Sequence, residues 1–195
     1  MNKNRCAWVG KDPLYIRYHD EEWGVPIYDD KTLFEFLILE TFQAGLSWIT
    51  ILRKRENFRA AFDDFDYCKI ARYDDEKYRE LLQNAGIVRN KLKIRAAITN
   101  AQAFLRIQKE FGSFSQYFWS FTDHKVIYNT FHDLSDLPAK TALSDKISMD
   151  LKKRGFKFVG STVIYAHMQA TGMVNDHTVN CFRYQQLREG KFRID

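Results

Sequence analysis

The stretch Ala85-Gly86-Ile87-Val88-Arg89-Asn90-Lys91-Leu92-Lys93-Ile94-Arg95 decides how the chain reads. Upstream of it, residues 74–84 carry a helical pattern that stops at Ala85-Gly86. Downstream, a second pattern opens near Asn90 and places Ile94, Ile98, Ala101 and Leu105 on one stripe, at steps of four, three and four. Two amphipathic helices joined by a tight glycine turn make a helix-hairpin-helix candidate. Free N–H groups at the second helix's start suit a phosphate oxygen, and the helix dipole favours its charge. Arg89, Lys91, Lys93 and Arg95 add four positive charges in seven residues with no acid among them, a composition that fits a phosphate backbone. A plain αα-hairpin with a solvated basic face is the commoner source of such a pattern.

Working outward, helical spacing persists. Asp29 and Asp30 can cap a helix through Leu33, Phe36, Leu37 and Glu40, and beyond Gly45 the residue Ser47 can cap another through Ile51, Phe58 and Phe62. Further patterns cover residues 113–121 and 144–153, and one from Ser161 ends at Gly172. No run alternates with period two over more than a few residues, so the fold class is all-α. No internal repeat, low-complexity tract or linker breaks the 195 residues, which suffice for one large domain or two small ones.

A 45% hydrophobic and 28% charged composition excludes a mostly disordered chain. The net charge of +5 permits a polyanionic partner without demanding one. Three scattered cysteines, Cys6, Cys68 and Cys181, do not make a disulfide framework, and a reducing cytoplasm is the expected compartment. No signal-like start and no apolar run of about 18 residues is present, so no membrane is expected.

Four groups of residues can carry chemistry. Glu40 shares a helical face with Phe36 and Leu37, where a carboxylate needs a partner, either a neighbouring helix or a ligand. Glu35, with Lys31 four residues before it, reads as a surface residue. Trp8, Tyr15, Tyr18, Trp23 and Trp48 offer flat faces that suit a planar cation, though any one of them alone would more often pack a core. His177 and Cys181 lie one helical turn apart and, with Cys6 and His19, would complete a Cys₂His₂ zinc set, but the pairs stand at opposite ends of the chain, the spacing is not that of a zinc finger, and taken alone four unrelated residues are the commoner source of such a set. Cys68 is expected to be a buried, inert thiol.

Taken together, several blocks resemble the bacterial DNA-3-methyladenine glycosylase I family over nearly the whole chain. They are Cys6-Ala7-Trp8-Val9, Asp12-Pro13-Leu14-Tyr15-Ile16, Tyr18-His19-Asp20, Glu22-Trp23-Gly24-Val25-Pro26, Leu39-Glu40, and Gln43-Ala44-Gly45-Leu46-Ser47-Trp48-Ile49-Thr50. Further on stand Lys54-Arg55-Glu56-Asn57, Asn84-Ala85-Gly86-Ile87, Lys152-Lys153-Arg154-Gly155-Phe156-Lys157-Phe158-Val159-Gly160 and Val174-Asn175-Asp176-His177. The segment from about residue 121 to 142 and the tail after Cys181 match least. Thr41-Phe42 stands where relatives often carry small or polar residues, a departure that bears on the pocket wall or the DNA-facing loop.

The resemblance implies a helix-hairpin-helix glycosylase domain over residues 1–195. One lobe would come from both chain ends around a structural zinc, and a central helical lobe would carry the hairpin near residues 76–105. It implies one zinc per chain on Cys6, His19, His177 and Cys181. The base pocket would be formed by Glu40, Trp48, Tyr18 and Tyr15, with Trp8 and Trp23 near it. Glu40 would be the catalytic residue, with Trp48 and Tyr18 stacking on the two faces of the base. Gly45 and Leu46 would wedge into the duplex, and Gly86, Arg89, Lys91 and Lys93 would contact DNA. The implied activity is hydrolysis of the N-glycosidic bond of 3-methyladenine in double-stranded DNA, by a monofunctional, monomeric, cytoplasmic enzyme. A non-catalytic DNA-binding module and a broader alkylpurine glycosylase are the competing readings.

Overall fold

Side-chain oxygens start most of the helices in the computed structural model, which describes residues 3–193. Helix α1 (Pro13–Glu21) begins with Asp12 accepting from the Leu14 amide and with proline in its first turn. Asp29 caps α2 (Asp30–Gln43), Asp74 caps α5 (Asp75–Gln83), and Asn90 caps the 21-residue α6 (Lys91–Phe111) through the Leu92 and Lys93 amides. Each such cap is worth about 1 kcal/mol. Helix α3 (Trp48–Ala61) starts at Ser47, whose hydroxyl instead meets Thr50 Oγ1 at 2.7 Å. The remaining helices are α4 (Tyr67–Ile70), α7 (Phe114–Ser120), α8 (Ala142–Lys153), α9 (Ser161–Ala170) and α10 (Phe182–Arg188).

Helix α2 is the axis of the molecule. Every residue from Leu33 to Phe42 is buried, as expected of a helix that is apolar nearly all round. Its main core runs through Phe34, Leu37, Phe42, Phe58, Phe62 and Phe104 to Trp119 and Met168. A second core, of Cys6, Val9, Tyr18, Trp23, Phe36, Leu52, Ala170 and Cys181, joins the two ends of the chain. There the Phe182 amide donates to Asn4 O at 3.0 Å. Gly172 makes the join between cores possible, because a Cβ on it would stand 2.4 Å from the Val25–Pro26 peptide.

The all-α expectation holds, with one small addition. Residues Ile127–Tyr128 (β1) and Val174–Asn175 (β2) pair in parallel, tying the segment that resembles the family least to the 174–177 block. The helices α1, α4 and α10 lacked a visible pattern because they are short and their apolar residues do not repeat. Thr141 moves the start of α8 ahead of Ser144, which serves as the third residue of a capping box.

Two expectations are overturned. Glu35 is buried rather than a surface residue: its Oε1 accepts from Arg55 Nε at 2.5 Å and from Arg59 Nη2 at 2.8 Å, while Lys31 pairs with Asp64. Cys68 is exposed, because the short α4 turns its outer side to solvent. The Thr41-Phe42 departure does not reach the pocket. Phe42 is fully buried against Phe58 and Phe62, with ring centroids 4.8 and 5.8 Å away.

Candidate functional site

Where the two cores meet, α1, α2, the start of α3 and the end of α9 leave a cavity of about 190 Å³. Its walls are Trp8, Tyr15, Tyr18, Trp23, Glu40, Gln43, Trp48, Leu137, Ala166 and Gln169. All six residues expected at the base pocket are therefore brought together: Tyr15 and Tyr18 from α1, Glu40 from α2, Trp48 from α3, and Trp8 and Trp23 from the segments before and after α1. Trp8 lies against Tyr15 (centroids 4.9 Å) and edge-on to Trp23 (5.0 Å), so the N-terminal aromatics brace one another. The expectation that Trp48 and Tyr18 cover opposite faces of a base does not match the geometry. Their centroids are 5.5 Å apart with planes inclined at 53°, whereas two faces enclosing a flat ring stand about 7 Å apart, two van der Waals gaps. They form a corner: Trp48 is a platform, and Tyr18 is the wall beside it.

Glu40 gives this apolar corner its chemistry. The carboxyl is buried, accepts no hydrogen bond among the described residues, and is pushed up to about 8 by burial. Burial, and then the nearby Glu40, raises the Tyr15 and Tyr18 hydroxyls as well. Trp48 Nε1 is a buried donor with no acceptor among the described residues. The Glu40 carboxyl lines the cavity without a donor among the described residues, and buried polar groups in folded proteins are normally satisfied, so a ligand that enters the cavity can complete its hydrogen bonding.

Gln43, Leu137, Ala166 and Gln169 were missed from the sequence. Gln169 sits seven residues before Asp176 and donates its amide N–H to Asp176 Oδ2 at 2.8 Å; Tyr165 and Asn129 also donate to that carboxylate. Gln169 thereby keeps its carbonyl oxygen, an acceptor, for the cavity. The 174–177 block hinted at Asp176, but nothing in the spacing of α9 singled out its partner.

Behind the aromatic wall lie Cys6, His19, His177 and Cys181, all buried, with their ligand atoms within 4.8 Å of one another. His177 Nδ1 is 3.6 Å from Cys6 Sγ and 3.5 Å from Cys181 Sγ, and His19 Nε2 is 3.5 Å from Cys181 Sγ. A tetrahedral zinc bound by sulfur and nitrogen requires such an edge to be about 3.6 Å. The outer nitrogens are also held: His19 Nδ1 faces Asp20 Oδ1 at 2.8 Å, itself paired with Arg5, and His177 Nε2 faces Trp23 O at 2.9 Å. This is the second shell expected around metal-binding imidazoles, so the donor set fits zinc.

The basic hairpin divides. The α5–α6 turn closes with the Gly86 amide on Asn84 Oδ1 (2.8 Å), and Asn57 packs where a Gly86 side chain would go. Arg89 and Lys91 are exposed beside Lys54 in a groove and have no ion-pair partner among the described residues. Arg95, in contrast, pairs with Asp75 at 2.9 Å and lies over the Tyr78 ring. Lys93 does not face a phosphate. Its ammonium is buried and donates to Phe42 O at 2.9 Å and Ala44 O at 2.7 Å. Gly45 and Leu46 occupy an exposed turn beside the cavity, with Gly45 at φ +85° and Leu46 40% exposed.

Fold and site together define a mostly helical protein with an aromatic pocket that carries one buried carboxyl. A sequence profile of methyladenine glycosylases matches residues 8–184. The chain is 52% identical to the DNA-3-methyladenine glycosylase 1 of Escherichia coli over 180 residues, 92% of this chain and 96% of that one. It is 48% identical to the DNA-3-methyladenine glycosylase of Haemophilus influenzae over 177 residues, 91% and 96% of the two chains. The solved structure of the Staphylococcus aureus 3-methyladenine DNA glycosylase I, determined for its recognition of 3-methyladenine, superposes with a TM-score of 0.89 at 38% identity, covering 92% of this chain and 96% of that one. The chain belongs to the methyladenine glycosylase family.

Proposed function

We infer that this protein is a DNA base-excision repair glycosylase that hydrolyses the N-glycosidic bond of 3-methyladenine in alkylated DNA. It releases the free base and leaves an abasic site. The observation that carries this reading is the unsatisfied Glu40 carboxyl in an aromatic cavity of single-base size. Alkylation at N3 gives the adenine a positive charge and makes it a good leaving group. The enzyme's work is to flip the nucleotide out, hold the base and admit water. At neutral pH the Glu40 carboxyl is largely protonated in the free pocket. A cationic base lowers its pKa, so Glu40 ionises as the base arrives and accepts hydrogen bonds from the base edge. Trp48 supplies a stacking and cation–π face worth about 0.5–2 kcal/mol. Normal adenine has no charge to draw on either interaction. No lysine lines the cavity, so no amine is placed for a Schiff base and strand cleavage, and the enzyme is monofunctional.

The Cys6, His19, His177 and Cys181 set would hold one zinc with four protein ligands, which leaves no position for water. Its part is to fasten the chain ends behind Trp8 and Trp23. Arg89 and Lys91, near Gly86, would hold the phosphate backbone of double-stranded DNA, with Gly45 and Leu46 entering the duplex. The residues act within one chain, as a monomer, and the unpaired thiols suit a reducing cytoplasm. No helix among the described residues is long and apolar enough to cross a membrane.

The test is single-turnover incubation with duplexes carrying 3-methyladenine, 3-methylguanine, 7-methylguanine or undamaged adenine, with chromatography of the released base. Release of 3-methyladenine well ahead of the others is expected. Duplex binding with no released base would reduce the protein to a binding module, and equal release across the panel would make it a broad alkylpurine enzyme.

A further inference from the structure

Two turns lie side by side: the exposed residues 44–47 between α2 and α3, next to the cavity, and residues 84–90 between α5 and α6, where Ala85, Arg89 and Asn90 are exposed while Ile87 anchors the turn in the core. Each is held by a lysine from the helix that follows the other. Lys93, in the first turn of α6, reaches Phe42 O and Ala44 O at 2.9 and 2.7 Å. Lys54, on α3, reaches Ala85 O and Gly86 O at 3.3 and 3.2 Å, and Asn57 Nδ2 donates to Gly86 O at 3.4 Å. Apart from this lacing, the first turn holds itself only locally, through the Leu46 amide to Gln43 O (2.7 Å) and Gln43 Nε2 to Leu46 O (3.1 Å). Gly45 has open space around its Cα, and Ala44 through Ser47 are exposed.

The Lys93 arm is costly for a mere helix cap. A solvated lysine or a neutral amide can satisfy terminal carbonyls with little desolvation, yet Lys93 is buried and has no ion-pair partner among the described residues. A cation held only by carbonyls of one turn fixes where that turn sits relative to the helix bearing the cation. Here it fixes the Leu46 turn, one residue beyond the end of α2 and four beyond Glu40, relative to the Arg89–Lys91 turn.

We propose that Lys93 is a positioning residue for excision from paired DNA: it holds the Leu46 turn in register with the α5–α6 turn, so that DNA seated on one meets the other at the point where the base leaves the stack. This rests on the glycosylase reading. Lys93 touches neither base nor phosphate. It acts on the opening of the duplex, not on the bond that breaks. Its effect is therefore largest where unpairing is difficult and small where the lesion is already unpaired, since unstacking and unpairing cost least at mismatched sites.

The experiment compares wild type, Lys93→Met and Lys93→Arg in single-turnover excision at saturating enzyme. One substrate carries 3-methyladenine opposite thymine, and the other carries it in a small mismatched bubble; thermal melts serve as folding controls. Lys93→Met should lose about tenfold on the paired lesion and about twofold or less in the bubble, in keeping with the sensitivity of rates to small misplacements. Lys93→Arg, which keeps the donors, should recover part of the paired-lesion rate. Equal losses on both substrates, or no loss on either, would overturn the proposal. If Lys93→Met did not fold, Lys54→Met cuts the reciprocal arm and carries the same expectation, and equal losses there would overturn it too. Failure of the wild type to release base from either substrate would instead sink the glycosylase reading itself.

Discussion

Helix α2 buries two carboxylates five residues apart, and they have opposite surroundings. Glu35 accepts from Arg55 and Arg59, and Arg55 in turn reaches Glu22 and lies 5.0 Å over the Phe36 ring. Glu40 is as deeply buried and accepts nothing from the described residues. A saturated buried charge is part of the framework, whereas an unsaturated one is kept for something that comes and goes. The difference assigns roles that the two glutamates' shared helix and shared burial cannot.

The sharpest break in this comparison is Glu35→Gln. It removes the buried charge shared by Arg55 and Arg59 while Arg55 keeps Glu22 and Arg59 keeps Glu56, so it should cost about 2 kcal/mol, the range for hydrogen bonds to a charged group. Urea melts would show it, while the folded fraction keeps its affinity for 3-methyladenine within about twofold. A mild stability change with a large loss of base binding would place Glu35 in the site and erase the distinction.

Glu40→Gln should behave in the opposite way. The folded carboxyl titrates at about 8 against an ordinary 4.5, so between those values the native state binds more protons than the unfolded state. Stability therefore falls as pH rises through this window, by up to about 1.4 kcal/mol per unit, and levels off beyond it. Glutamine does not titrate, so the variant should match or slightly exceed wild type at pH 5 and melt clearly higher at pH 8. Excision of 3-methyladenine should slow by about tenfold, a modest loss because the cationic base supplies much of its own activation. A constant melting difference across pH would mean that Glu40 is ionised and paired after all.

The same contrast shows what the sequence could and could not convey. Helix α2, the hairpin and the Cys/His set were legible because capping residues, apolar period and residue type are local or survive at long range as motifs. Glu35 was misread because Lys31 stands at the right distance on the same helix, while its true partners arrive twenty and twenty-four residues later from α3. Lys93 differs for a related reason: a cationic run gives charge but not direction, and its third cation points inward. Gln169 and Leu137 entered the cavity through packing of α9 and the 129–141 segment, which no spacing rule announces.

The Cys/His cluster extends the rule to imidazoles, whose outer nitrogens are already saturated by Asp20 and the Trp23 carbonyl. His177→Ala should lower zinc content and melting temperature together. Asp20→Asn should lower zinc affinity by about tenfold through the weakened second shell, with excision by the loaded protein unchanged. Protein purified without chelator that contained no stoichiometric zinc by elemental analysis would remove the metal from this account.

The smallest expected effects lie in the basic run, where saturation again separates neighbours. Arg89 and Lys91 are exposed cations without ion-pair partners among the described residues, whereas Arg95 is paired with Asp75 and stacked on Tyr78. A phosphate contact releases counterions, so each one lost should flatten the slope of log affinity against log salt by about 0.9. Arg89→Ala and Lys91→Ala should each do so, weakening binding to every sequence alike. Arg95→Ala, which removes a charge of the same sign from the same helix end, should leave the slope nearly unchanged, because Asp75 already neutralises it. This control separates contact from mere field: a general loss of positive potential would move all three variants together, whereas specific phosphate binding moves only the two free cations. If Arg95→Ala flattened the slope as much as Arg89→Ala, saturation would have failed as a guide on this surface, and the hairpin would steer DNA without gripping it.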